Sequence, residues 1–565
     1  MTASLRRLPF SSLLVLALAA PALATAQTAP NAGQLLREVP AAPQSAPSAS
    51  AALPYAEIVR PALNVADAAT VTVKTIVITG NTVVPTATLH ALVAKAEGTA
   101  QTLAQLNALA ARITRLYHDR GYILARAYLP EQEVNGGRVE IAVLEGRLGA
   151  VKVQNTSRVA DPVVQSFLAP LKPGAVIAGG ALERSLLLLS DVPGLNANST
   201  LQPGASVGSS DLVVAAKPGP LLGGTVNVDN FGSSSSGAAR VGGMLDINNL
   251  SGRGDQITLQ ALSSLNSGEH LRYGRAAYDY LLNGHGTRIG AGYARLDYGL
   301  GENFTALNAH GTADDASLWI NHPLIRTQRL NVQAGFTYDY KLLKDHIDTS
   351  GTQNDRTLNV GALSLSGSYR DDLFSGGITS GSVSWGVTDT YITDAAARAA
   401  DAAAAKTQGT ASKWNFQARR AQHVTNSTTL SLFGEGQLAS GNLDSADKFV
   451  VGGPNSVRAY PQGEVSGDEG WLLTVELQQA LPVPASLGQW SAVAFFDSGH
   501  VLLNKDAFAA GRNERTLSGA GAGLRWAFRD HWTAKVDAAW RIDGGAPTAD
   551  GDRAPRIWAS LGYQF

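Results

Sequence analysis

The chain has 565 residues, a formal net charge of -1 and no cysteine, which excludes disulfides and thiolate metal sites and removes any electrostatic case for nucleic-acid binding. Its 59 glycines suit many strands and turns better than one large helical core, and its length calls for several domains.

Residues 1–26 read as a signal peptide: Arg6 and Arg7 form a basic start, an apolar run follows from Phe10 to Ala20, and Ala24-Thr25-Ala26 places a cut before Gln27. That run is too short to span a bilayer, and no other stretch is long and apolar enough to cross as a helix. A membrane form of this protein therefore has to be a barrel. Residues 27–70 are rich in Pro, Ala and Ser, a composition that cannot bury enough apolar surface to order itself, and read as a tether. Within it, residues 32–38 allow a helical turn or two that either docks or frays.

Residues 71–217 read as two small units that mix helix and strand, 71–148 and 149–217. The first opens with a strand over 71–78, closed by Gly80-Asn81. Leu103, Leu106, Leu109, Ile113 and Leu116 then recur at helical spacing until Gly121. Strands over 123–129 and 139–144 follow, joined through Asn135-Gly136-Gly137. The order recurs with a strand at 150–154, helices near 162–168 and 182–190, and a strand ending at 211–216.

From 218 to 565 the pattern has a period of two. Trp532, Ala534, Val536, Ala538 and Trp540 alternate with Thr533, Lys535, Asp537 and Ala539, as suits a strand with one lipid face and one wet face. Sixteen such segments begin near residues 224, 239, 256, 272, 287, 313, 329, 357, 378, 412, 429, 471, 490, 516, 531 and 556. Long connections (298–311, 341–356, 393–410, 440–470, 500–515, 542–555) alternate with short ones, the asymmetry of an outer-membrane barrel. Trp532, Trp540, Tyr338, Tyr340, Trp414 and Trp471 fit interfacial girdles.

Several motifs carry no chemistry. Gly204-Ala205-Ser206-Val207-Gly208 matches a nucleophile elbow, but a strand follows where the elbow needs a helix. Gly519, Gly521 and Gly523 lie inside a barrel strand, where glycine lets a loop or backbone approach closely. Arg253-Gly254-Asp255 falls in a tight periplasmic turn, and the histidines show no metal-ligand spacing.

The sixth external connection, 440–470, carries Gly452-Gly453-Pro454-Asn455-Ser456-Val457-Arg458-Ala459-Tyr460-Pro461, answered by Phe495-Phe496-Asp497-Ser498-Gly499. Alternation puts Asp497 on the lumen face with Val493 and Phe495, while Ala492, Ala494 and Phe496 face lipid. On these residues alone, Arg458 is a solvated loop charge and Asp497 one of several lumen charges.

Tyr117-His118-Asp119-Arg120-Gly121-Tyr122, Arg126-Ala127-Tyr128-Leu129-Pro130-Glu131-Gln132 and Leu144-Glu145-Gly146-Arg147-Leu148 resemble the first periplasmic POTRA domain of two-partner secretion transporters of the hemolysin secretion/activation type. Leu182-Glu183-Arg184 and Asp191-Val192-Pro193-Gly194 resemble the second. Val457-Arg458-Ala459-Tyr460 is similar to the V-R-G-Y loop-tip motif of that superfamily, and Phe495-x-Asp497-x-Gly499 to its barrel-wall partner. The resemblance implies a mainly β fold, a 16-stranded antiparallel transmembrane β-barrel preceded by two periplasmic α+β POTRA domains.

It further implies a latch of Val457, Arg458 and Tyr460 against Phe495, Asp497 and Gly499. The POTRA motif residues are then Tyr117, Gly121, Tyr122, Pro130, Gln132, Glu145, Gly146, Pro193 and Gly194, and Tyr563 and Phe565 form a barrel-assembly signal. The implied activity is capture of an unfolded hemolysin- or adhesin-like exoprotein by the POTRA domains and its export through the barrel, with neither enzymatic chemistry nor a cofactor. Other expected partners are outer-membrane lipid, the barrel insertion machinery and periplasmic chaperones, and the protein is expected to act as a monomer. Where the family has glycine this chain has Ala459, which adopts positive φ only at a cost. The rival readings are an outer-membrane assembly factor, which usually carries more POTRA units, and a passive porin, which needs neither the periplasmic units nor the loop motif.

Overall fold

The computed structural model describes residues 29–39, 70–266 and 268–565. The signal-peptide reading and most of the tether lie outside the described residues.

Sixteen antiparallel strands, from Leu222–Asp229 to Arg556–Gln564, form a closed barrel in which sequence neighbours pair. The last strand returns to the first by pairing Ser560–Gln564 with residues 225–229, and Phe565 exchanges two backbone hydrogen bonds of 3.1 Å with Gly224. Closure removes every sheet edge, which is what lets strands cross a bilayer. The period of two becomes physical here: Trp532, Val536 and Trp540 are exposed on the outer wall while Asp537, from the same strand, is wholly buried inside. Tyr338, Tyr340, Trp414 and Trp471 are exposed likewise.

Residues 341–356 are not a long loop. The strands Leu330–Ile347 and Thr352–Asp371 run on past the length a bilayer requires, leaving a turn at 348–351. Leu343 and Leu358, fully buried inside the barrel, give this extension an apolar inner face that holds it in register. The sixth external loop separates Thr428–Ala439 from Glu469–Ala480 and folds inward, with its own hairpin of Phe449–Val451 and Val465–Gly467.

Each periplasmic unit packs two helices on a three-stranded sheet. In the first, Thr75–Thr79 lies parallel to Arg138–Leu144, with Arg126–Tyr128 on the other side; in the second, Arg147–Asn155 and Leu195–Pro203 flank Ser209–Pro218. The strand expected over 71–78 is two strands, Thr70–Thr72 and Thr75–Thr79. They part because the Val73 amide donates to Thr99 O and the Lys74 amide to Gly137 O, two different neighbours. The strand expected over 123–129 is reduced to Arg126–Tyr128, since Ala125 N–H is taken by the turn carbonyl of Tyr122.

Candidate functional site

The inward loop turns on glycine. Gly452 and Gly453 have φ of +106° and +119°, and a Cβ on Gly452 would stand 2.6 Å from that of Glu464. The turn is held by Ser456 N–H on Gly453 O at 3.1 Å and Tyr460 N–H on Val457 O at 3.0 Å. Val457, Ala459 and Tyr460 at its tip are buried in an apolar cluster with Phe495 and Leu472 from the barrel wall.

Arg458 reaches the wall through a fork. Its Nε donates to Asp497 Oδ2 at 2.8 Å and its Nη2 to Asp497 Oδ1 at 2.9 Å, and its backbone amide adds a third bond to the same carboxylate at 3.2 Å. Nη1 donates to Glu476 at 2.8 Å and lies 3.5 Å from Asp537. The guanidinium also rests on the Phe495 ring, 3.3 Å from its centroid, where the π face favours a cation. With Arg458 only 4% exposed and Asp497 wholly buried, the pair is desolvated. Removing one partner from such a pair costs about 3–5 kcal/mol, because the other is left as a buried charge. Arg525 and Lys535 both pair with Asp537, so three cations face three carboxylates at the tip.

Trp558 Nε1 donates to Arg458 O at 2.7 Å, and Tyr460 Oη donates to the carbonyls of Asp543 and Gly545. Gly499 lies beside Val451 of the loop hairpin, with 2.7 Å left between Val451 Cγ1 and the place of a Cβ. The glycine row is explained in the same way: side chains of Ala459, Phe495 and Asp537 occupy the space that a Cβ on Gly519, Gly521 or Gly523 would need. Ala459 is not among the described residues with positive φ, so its methyl is accommodated without backbone strain.

Alternation alone did not reveal Glu476, Asp537 or Trp558. Each sits on a lumen face readable from sequence, yet the convergence of Glu476 and Asp537 on the Arg458 guanidinium, and of Trp558 on its backbone carbonyl, depends on barrel curvature and loop depth. Further down, buried carboxylates fasten the rest of the loop: Asp447 to Lys413 at 3.0 Å, Asp468 to Lys448 at 2.7 Å and Glu464 to Arg515 at 2.6 Å.

A second element fills the lumen. Ala32–Glu38 is a helix started by a reciprocal Asn31 and Gln34 capping box. Leu35 is fully buried against the barrel interior with Leu271, Leu296, Leu343 and Leu358. Of the two outcomes left open by the sequence, the structure gives docking.

The POTRA motif residues make contacts within and between the two periplasmic units. Glu145 accepts from the amides of Thr82 and Val83 at 2.6 and 2.9 Å, from Tyr117 Oη at 2.9 Å and from the Thr82 hydroxyl. Although burial opposes its charge, these donors hold its carboxyl below the usual range. Tyr122 packs edge-on against Tyr117 with ring centroids 5.9 Å apart. Gln132 exchanges hydrogen bonds with the backbone of Glu140 at 2.7 and 2.8 Å and donates to Pro130 O. Gly121 O accepts from Gly179 N and Gly146 O from Ile177 N, which joins the two units. Pro193 and Gly194 form the turn into the strand Leu195–Pro203, with Gly194 at φ +73°. Tyr563 stacks with Phe565 at 6.3 Å on the outer wall.

The model of the haemolysin secretion/activation proteins ShlB/FhaC/HecB matches residues 208–526, and the ShlB-type POTRA model matches residues 71–146. The chain belongs to that family of outer-membrane transporters. It is 28% identical over 464 residues to the heme/hemopexin transporter protein HuxB of Haemophilus influenzae strain 86-028NP, covering 81% of this chain and 80% of that one. It is 25% identical to the outer membrane transporter CdiB of Escherichia coli, over 80% of this chain and 76% of that one. In fold it is similar to the solved CdiB from Escherichia coli, with a TM-score of 0.71 and 22% identity over 90% of this chain and 93% of that one. BamA from Haemophilus ducreyi shares the fold at a TM-score of 0.52 and 14% identity, over 88% of this chain and all of that one. This transporter of the two-partner secretion type therefore lies in the outer membrane with its POTRA domains in the periplasm.

Proposed function

We propose that this transporter receives an unfolded exoprotein at its POTRA domains and exports it through the barrel, which rests closed. The observation that carries the reading is the Arg458 fork. A loop folded into a pore and fastened by charged pairs is a removable stopper, since polar contacts can be exchanged for water or for a passing chain as an apolar core cannot. The exoprotein is identified as the large species missing from the supernatant of a deletion strain. Arg458→Ala should reduce its secretion at least tenfold while the barrel accumulates normally in the outer membrane. Normal secretion by that variant would remove the latch from the mechanism.

Recognition by strand addition rests on one open edge. At the other edges of the two three-stranded sheets backbone groups are already engaged: Ile76 N–H donates to Glu97 Oε1 at 2.7 Å, Ala127 N–H to Thr114 Oγ1 at 2.9 Å, and Leu148 pairs with residues 174–175. Leu195–Pro203 is different. Bonds between Gly204 and Ser209 and between Gly219 and Gly194 set the register with Ser209–Pro218, so Ala197, Ser199 and Leu201 turn their amides and carbonyls away from the sheet. The strand has no charge and no bulge to discourage a partner. Ser199→Pro removes a free-side amide without touching the internal ladder. It should abolish photo-crosslinking between this edge and the exoprotein, and unchanged crosslinking would rule the edge out.

A further inference from the structure

The pore-proximal POTRA unit touches three consecutive periplasmic turns of the barrel. At the first, Ala160 N–H donates to Gly252 O at 2.8 Å, and a Cβ on Gly254 would lie 2.9 Å from Val192 Cγ1. At the second, Leu281 belongs to the core of the unit, and a Cβ on Gly286 would lie 2.8 Å from Leu188 Cδ2. The third turn is gripped by charge. Arg326, at the foot of its strand and only 4% exposed, forms a bidentate pair with Asp191 at 2.7 and 2.9 Å. Its Nη1 donates onward to Asn331 Oδ1 at 2.9 Å. Glu183 accepts from the Gln328 amide at 2.7 Å, and Arg184 donates to Pro323 O and Leu324 O at 2.6 and 3.1 Å.

All three gripping residues belong to one helix, Gly179–Ser190, and its C-cap Asp191. The open edge strand begins at Leu195, immediately after the turn Val192-Pro193-Gly194. A displacement of the unit therefore displaces the edge by a similar amount, with no linker to absorb it. Such a displacement would also break the bidentate pair of Arg326 with Asp191, open the apolar contact at Leu281 and free several backbone groups together, so the contacts favour one fixed arrangement.

We propose that Glu183, Arg184 and Asp191, closing on Arg326 and the third turn, form a clasp that keeps this unit fixed to the barrel throughout export. They are positioning residues: they hold the Leu195–Pro203 edge at a constant distance and angle from the pore mouth. The inference rests on the reading of that edge as the capture site. The alternative is an arm that swings cargo toward the pore.

The absence of cysteine makes the test clean. Val192→Cys with Gly254→Cys introduces the chain's only two thiols at a spacing suited to a disulfide, bonding the unit to the first turn. Under oxidant, secretion of the exoprotein identified above should stay within about twofold of the same variant under reductant, which also controls for folding. A block under oxidant that reductant relieves would overturn the clasp in favour of a swinging unit. In parallel, Arg326→Ala should lower secretion at least tenfold while crosslinking of the exoprotein to the edge persists. Normal secretion by Arg326→Ala would equally overturn the proposal. If Ser199→Pro leaves edge crosslinking unchanged, the capture reading fails, whereas the oxidised double-cysteine variant still reports on the fixed arrangement.

Discussion

Ala459 and Gly519 are a matched pair. The methyl of Ala459 occupies the space in front of Gly519, on the neighbouring wall strand Glu514–Phe528, that a second methyl would need. Gly519→Ala should therefore overpack the latch by about 1–3 kcal/mol and loosen the tip. The expected result is faster proteolysis of the external loop in outer-membrane vesicles and reduced secretion, with Ala459→Gly restoring both in the double variant. No rescue would mean that the substitution acts through the strand rather than through the tip. At this scale the sequence was informative about faces and poor about meetings. Strand alternation placed Asp497 inward and the loop motif supplied Arg458, yet Glu476 and Asp537 meet its side chain and Trp558 its backbone carbonyl from separate strands. Only barrel closure and the depth of the loop bring them together. The concern over positive φ at position 459 dissolves for a related reason, since a backbone angle is fixed by loop geometry that a motif match does not contain.

Among the elements, the barrel strands were the most legible because one physical demand, lipid outside and water inside, repeats along all of them. Their ends were less so. Residues 341–356 are polar enough to read as a loop, yet Leu343 and Leu358 lie in one buried cluster on the inner face of an extended hairpin, together with Leu35 of the lumenal helix. In the first POTRA domain the buried Glu145 explains why a charged residue stands at the end of a core strand: it ties the loop at Thr82 and the helix Leu103–Asp119, through Tyr117, to the junction with the second domain. Replacing it by Ala leaves buried donors unsatisfied and should cost about 3 kcal/mol or more. The pH dependence has a definite sign. A carboxyl held below its unfolded value stabilises the domain above that value, near 4.5, and the contribution fades as pH falls further. Urea melts should show wild type and Glu145→Ala converging as pH drops below about 4.5. A stability gap that stays constant down to pH 3 would contradict this role.

At the scale of the whole molecule, the two occupants of the lumen are fastened to each other. Asp345 accepts from the first helical amide, Ala32 N–H, at 2.7 Å, and from Tyr298 Oη and Arg356 Nη2, both at 2.6 Å. Arg356 then donates to Asp444 at the base of the sixth loop, at 2.9 Å, and Asp444 in turn accepts from Ala446 N–H. Arg37 of the helix returns the contact at Ala446 O. Helix and loop thus share one buried cation, which is 6% exposed between two carboxylates. Arg356→Ala leaves both carboxylates uncompensated, a loss of about 3–5 kcal/mol that either element can relieve only by moving away. Since about 1.4 kcal/mol is tenfold in an equilibrium, the open population should rise by two orders of magnitude or more. In planar bilayers the purified variant should show frequent large openings where the parent is mostly closed. Deleting the helix from the variant should then add little, because its hold is already lost. If Arg356→Ala conducts like the parent while the helix deletion alone opens the pore, the helix is held by its apolar face alone and plug and latch move independently.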